Sequence, residues 1–443
     1  MKRFFKNTYL NTHFFIGVSV LVFLFILAYI FPGLLVIAQM LFFVFVSLLI
    51  VDSILLFKQK GILASRILPE KLSNGDDNPI EISLQNNYNF TSDVKLIDEL
   101  PFQYQKRDFE IDTQLQKQTS KKITYTLRPL ERGEYYFGNL NLYANSPINL
   151  ISRRFQFGKD AMVPNYPSFL QLKKYMLLAF SNKIFEYGLK KIRRIGHTME
   201  FEQIKDYVQG DDLRNINWKA TAKSSKLMVN QFQDERSQPV YSVIDKGRVM
   251  KMPFEGLSLL DYAINASLVI SNVALKKQDK AGLFSFSRKV ENRVVAERRP
   301  SQMNTILETL YNLNTDFVES DFSRLYIDVK RHLNQRSLLL LYTNFETLDA
   351  LYRQLPYLKA IAKNHLLVVI FFENTELQRL THKSADTTFE IFEKTITEKF
   401  IYEKKLIVNE LQKHGIQSIL TAPEHLTINT INKYLEIKAR GLL

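Results

Sequence analysis

Two uncharged apolar stretches open the chain. Residues 14–31 read FFIGVSVLVFLFILAYIF, and residues 34–51 read LLVIAQMLFFVFVSLLIV. Each approaches the length an α-helix needs to cross about 30 Å of hydrocarbon. Between them stands only Pro32-Gly33, a turn that one continuous helix would not adopt. The pattern predicts a transmembrane hairpin within residues 1–60, with helices over about 14–31 and 34–56 and both ends on one side. A cleaved signal peptide would show a small-residue cleavage site after a shorter apolar core, but a second apolar span follows instead. Lys2, Arg3 and Lys6 precede the hairpin, Lys58, Lys60 and Arg66 follow it, and the turn carries no charge. The positive-inside rule then puts both termini and the soluble part in the cytoplasm, as expected of a two-pass bacterial inner-membrane protein.

Beyond the hairpin the period changes to two. Ile80-Glu81-Ile82-Ser83-Leu84 and Ile123-Thr124-Tyr125-Thr126-Leu127 alternate apolar with polar, and turn clusters such as Ser73-Asn74-Gly75-Asp76-Asp77 separate such runs. This predicts a small antiparallel β-sandwich over 61–162. Residues 163–235 are mixed and polar. From 236 to 443, continuous apolar strands alternate with helices: strands at 240–244, 283–286, 338–342, 366–372 and 416–420, and helices at 258–277, 302–311, 348–362 and 392–413, with a last helix at the end. That alternation predicts an α/β domain with a mostly parallel sheet covered on both faces. Ligands of such sheets sit at the C-terminal strand ends.

Composition narrows the chemistry. The chain has 443 residues, 46% apolar and 23% charged, as in a multidomain globular protein. It has no cysteine, which excludes disulfides, Cys-ligated metals and a Cys nucleophile. The net charge of +14 suits a protein beside an anionic inner leaflet. No nucleic-acid-binding motif accompanies it.

Residues 196–223 carry Gly196, Glu200-Phe201, Tyr207, Gly210-Asp211-Asp212, Arg214, Ile216, Trp218 and Ala222. This spacing resembles the signature of the DUF58 family, G-x-x-x-EF followed by Y-x-x-GDD-x-R-x-I-D-W-x-x-x-A-R. Arg132-Gly133-Glu134-Tyr135-Tyr136-Phe137-Gly138 and Ser146-Pro147 resemble its sandwich domain. Asn217 stands for the usual Asp and Lys223 for the usual Arg. The resemblance implies a von Willebrand factor A-like (Rossmann-like) C-terminal domain and association with MoxR-type AAA+ ATPases, and it implies no established reaction.

Domains of that type often hold Mg²⁺ through D-x-S-x-S after the first strand, a loop Thr and a later Asp, the oxygen ligands that hard cations need. Here the matching positions are Asp245, Gly247, Val249, Ser320 and Asn344. One carboxylate remains, both serines are gone, and Lys246 and Arg248 add positive charge. The expectation is a degenerate site that holds no metal, with Asp245 paired to Lys246, Arg248 or a backbone N–H.

Gly210-Asp211-Asp212 reads as a turn before a helix, with Asp212 as its cap. Arg214 suits a bidentate pair with Glu200 or Asp206, and Trp218 suits contact with a neighbouring domain. Together these five are candidates for binding a partner. Against them stands a metal-dependent hydrolase centred on Asp211 and Asp212. A third reading is binding of anionic lipid or nucleic acid by Lys190-Lys191-Ile192-Arg193-Arg194. No G-x-S-x-G, P-loop or G-x-G-x-x-G is present, and no two of the seven histidines stand at i, i+4. The sequence therefore favours a non-enzymatic, membrane-tethered adaptor with no cofactor, acting on envelope or secretion machinery with a protein partner.

Overall fold

A computed structural model describes residues 7–59, 61–158, 160–170, 199–208, 211, 213–224, 226–234, 237–381 and 387–442. The chain divides into two compact units, Met1–Tyr166 and Pro167–Leu443.

The first unit opens with a short strand, β1 (Thr8–Leu10), then helix α1 (Thr12–Ile30) and helix α2 (Leu35–Phe57). One 3-10 turn, Pro32–Leu34, joins the helices. Proline is tolerated there because the first N–H of a helix has no partner to lose. Both helices are long and apolar enough to cross a membrane by length and composition. Their side chains are largely uncovered, with Phe23 61%, Phe43 68% and Tyr29 91% exposed. Small residues let the helices approach, since a Cβ on Gly17 would stand 2.6 Å from Phe45.

Both ends of the hairpin are fastened to one sheet. Strands β2 (Ile62–Ile67), β3 (Asn78–Asn86), β4 (Ser92–Asp98), β5 (Glu110–Leu115), β6 (Ser120–Leu127), β7 (Gly133–Phe137), β8 (Leu140–Asn145), β9 (Ile151–Phe157) and β10 (Ala161–Tyr166) follow α2. They form a five-stranded sheet β1-β9-β8-β4-β5, a three-stranded sheet β2-β3-β6, and a third in which β10 lies between β7 and the short strand Leu72–Ser73. β1 pairs antiparallel with β9, Tyr9 opposite Ser152. At the other end, Asp52 of α2 is fully buried. It accepts from the N–H groups of Leu150 (2.9 Å) and Ile151 (3.0 Å) and from the Ser146 hydroxyl. The Tyr88 hydroxyl donates to the Leu56 carbonyl at 2.8 Å. Ile62, Ile82 and Leu84 of one sheet share a core with Val94, Leu96, Leu140 and Leu142 of the other, the inward half of the period-two pattern.

In the second unit, β11 (Met199–Asp206) and β12 (Met228–Asp234) form a hairpin around helix α3 (Trp218–Ser224). Then come β13 (Pro239–Asp245), α4 (Leu259–Lys276), β14 (Lys280–Phe286), β15 (Val290–Glu297), α5 (Gln302–Tyr311), α6 (Phe322–His332), β16 (Leu338–Tyr342), α7 (Leu348–Asn364), β17 (Leu366–Phe372), α8 (Thr375–Thr381), α9 (Thr388–Lys413), β18 (Gln417–Thr421) and α10 (Leu426–Ala439). The sheet order is β15-β14-β13-β16-β17-β18, parallel throughout except β15. Every residue of β13 and β16 is buried, which is why these strands read as unbroken apolar runs. One core cluster lies under α4, α5 and α10. The other lies under α6, α7 and α9. The chain steps outward from β13 in one direction, then crosses to β16 on the other side. The ends of β13 and β16 therefore bound the crevice where doubly wound sheets take ligands.

Candidate functional site

β13 delivers Asp245 to that crevice, where it is 1% exposed. It accepts from three donors: the Gly247 N–H at 2.8 Å, the Thr343 hydroxyl at 2.6 Å and the Ser320 hydroxyl. Burial pushes its carboxyl above the ordinary carboxylate range, and the Ser320, Thr343 and Gly247 bonds pull the other way. Gly247 is held small by close approach, since a Cβ there would stand 2.1 Å from Ser320 Oγ. A cavity of about 140 Å³ opens here, lined by Asp245, Arg248, Val249, Ser320, Asn344 and Thr347 among others.

Asp245, Gly247 and Ser320, matched from sequence, do converge. Val249 reaches the cavity without an oxygen to offer. Of the partners expected for Asp245, it takes a backbone N–H, that of Gly247, and neither Lys246 nor Arg248. Lys246 turns to Glu291 (2.5 Å) and Asp316 (3.1 Å), and Asp316 also accepts from the Ser287 hydroxyl at 2.6 Å. The third group on Asp245 is Thr343, one residue before the expected Asn344. Asn344 instead accepts from Lys404 Nζ at 2.6 Å. Sequence reasoning passed over Thr343 because the Asp position it sought falls on the next residue. It passed over Lys404 because 60 residues separate Lys404 from Asn344.

A divalent cation needs several oxygen ligands, preferably carboxylates. The residues present do not fit one. Asp245 is engaged by three donors, Gly247 and Val249 bring no side-chain oxygen, and Asn344 is taken by Lys404. Among the described residues no group of three or more His, Asp or Glu side chains is placed to hold a metal.

Asn344 also borders a larger cavity of about 240 Å³, walled by Phe254, Phe372, Leu377 and Phe400. Lys404 lies in its wall, and burial lowers its amine to about 8 despite nearby Glu346.

In the signature segment, Asp211 accepts from Lys205 Nζ at 2.9 Å and from the Val208 N–H at 3.0 Å. The Lys205 bond, foremost, holds its carboxyl below the usual range. The Asp211 N–H returns to the Val208 carbonyl at 3.0 Å, so this carboxylate closes a turn. Gly210 and Asp212 lie outside the described residues, as do the Arg214 side chain and the run 190–194. The N-terminus of α3 is capped by Asn217, whose Oδ1 accepts from the Ala220 N–H at 3.0 Å. Its amide also donates to Asn230 at 2.8 Å, tying α3 to β12. Asp206 pairs with Lys226 at 3.8 Å. Trp218 is 70% exposed, and Val208 and Leu213 are 62% and 64% exposed.

The profile of a family described as "Protein of unknown function DUF58" matches residues 203–383, so a domain of that family is present. An uncharacterized Bacillus subtilis (strain 168) protein, YeaD, is 26% identical over 169 residues, 38% of this chain. The match spans 40% of that relative's length. Two solved domains are similar to about a quarter of the chain. The PapD-like domain 7 of human CEP192 matches 23% of this chain and 85% of its own at 14% identity, with a TM-score of 0.18. The CARDB domain of a Pyrococcus furiosus protein, in complex with di-metal ions, matches 24% and 91% at 11% identity, with a TM-score of 0.17.

Proposed function

We propose that this chain is a membrane-anchored, non-enzymatic interaction protein of the DUF58 type. It works from the cytoplasmic face with a protein partner, a MoxR-type AAA+ ATPase by family resemblance, on envelope or secretion machinery. The observation that carries the anchor is the hairpin. Helices α1 and α2 leave most of their large apolar side chains exposed, a surface that water does not tolerate and lipid does. Their attachment to the five-stranded sheet at both ends suits a domain that rides on the membrane.

The reading of the second unit as von Willebrand factor A-like draws support from its strand order and its one antiparallel edge strand. The metal-free reading draws support from the three donors that engage Asp245. The partner surface is the signature segment, where Trp218 stands out from α3 in the manner of an interface anchor. The hydrolase reading is disfavoured because Asp211 is engaged by Lys205 and Val208, leaving it poorly suited to hold a metal.

The test is purification of the full-length protein from its native membranes in mild detergent, beside Arg214→Ala and Trp218→Ala variants shown to be folded. Co-elution of an AAA+ ATPase with the wild type, lost in the variants, is expected. Metal-stimulated turnover that disappears in Asp211→Asn would contradict it.

A further inference from the structure

Helix α9 is 26 residues long; its second half carries the fully buried Ile407 and Leu411, and its first half buries Thr397. Traced back toward the N-terminus, the same face carries Phe400, Ile396, Phe392 and Phe389, all within about 80° of arc at 100° per residue. These are 42%, 38%, 63% and 69% exposed. The core-facing stripe thus continues for about three turns from Phe400 to Phe389, and it becomes more exposed toward its outer end. Phe400 at its inner end walls the 240 Å³ cavity. Phe389 at its outer end is the most exposed of the four.

We propose that a second copy of this chain covers the stripe, the two α9 helices running antiparallel about a two-fold axis near residues 392–396. An isologous contact requires one surface to supply both projection and recess. Here a projecting Phe389 and a recess beside Phe400 lie 11 residues apart on one face, roughly 16 Å along the axis. Antiparallel pairing brings each Phe389 to the other copy's recess.

Charge selects the same occupant. The chain carries +14, so two copies repel over most of their surfaces. Residues 388–405 hold four glutamates and four lysines, a net of zero, so this helix is a place where two copies can meet. A lipid-seeking helix would carry an excess of Lys and Arg on its polar face. The four side chains offer roughly 400 Å² per copy, about half of a standard interface. The association is therefore weak, and covalent trapping is the way to read it.

The absence of native cysteine makes that trapping clean. Single cysteines at Ile396, or at Tyr402 on another face of the helix, are placed in the full chain and oxidised in the cells that make it with a membrane-permeant thiol oxidant, because the cytoplasm keeps thiols reduced. Ile396→Cys is expected to form a disulfide dimer and Tyr402→Cys to stay monomeric. Phe389→Cys and Phe400→Cys, each monomeric alone, are expected to cross-link when co-expressed. Phe392→Glu added to Ile396→Cys is expected to abolish the dimer without changing the melting temperature, since Phe392 contributes little to the core. The proposal is overturned if Ile396→Cys stays monomeric, links only to another protein, links no better than Tyr402→Cys, or still links after Phe392→Glu.

Discussion

At the scale of single residues, Asp245 is the pivot of the crevice. Asp245→Ala leaves two buried donors and one part-buried donor without an acceptor and is expected to cost roughly 2–4 kcal/mol, read as a lower melting temperature. Asp245→Asn keeps an acceptor and is expected to cost far less. Because the folded carboxyl titrates above the unfolded one, the folded state holds more protons just above the ordinary carboxylate pKa. Stability from this group is therefore fully present at lower pH and is lost as pH rises through the folded value. Asp245→Asn should flatten that fall, and an unchanged profile would show that Asp245 does not titrate there. Gly247→Ala should destabilise by about 1–3 kcal/mol through overpacking, and Ser320→Ala should recover part of the loss because it removes the atom in the way. The sequence made Asp245, Gly247 and Ser320 legible as a set. It could not show which of Thr343 and Asn344 faces Asp245, since adjacent residues point in opposite directions and the pattern did not fix the register.

At the scale of elements, buried strands were the easiest to read. The strands at 338–342 and 366–372 match residue for residue, because a strand covered on both faces leaves an unbroken apolar run. Helix α9 begins four residues before its expected start, where Thr387 and Glu390 form a capping box. Helix α6 and strand β15 were missed. The α6 helix shows only Phe322, Leu325 and Val329 to the core, and β15 alternates at a sheet edge among charged residues. Also unforeseen was β1, three residues whose place depends on pairing with β9. The fastening of α2 through Asp52 is testable by hydrogen exchange on the full chain. Asp52→Ala should speed exchange of the Leu150 and Ile151 amides by roughly 5- to 150-fold, corresponding to about 1–3 kcal/mol for a lost buried acceptor. Unchanged exchange would mean that Asp52 does not fasten α2 to the sheet.

At the scale of the whole molecule, the placement of the hairpin decides where the protein works. Its apolar length, its charge flanks and its exposed surface all favour a bilayer, and the flanking lysines and arginines favour a cytoplasmic soluble part. Family resemblance added the partner class, which no physical feature of the chain identifies. Gly33 offers a direct probe. It lies in the turn between the helices, and a Cβ there meets nothing within 4 Å. Labelling of Gly33→Cys in intact cells with a membrane-impermeant maleimide, beside Tyr402→Cys, tests insertion and orientation together. Gly33→Cys is expected to label from outside and Tyr402→Cys only after the cells are opened. Labelling of Tyr402→Cys from outside, or of neither site until the cells are opened, would contradict this placement.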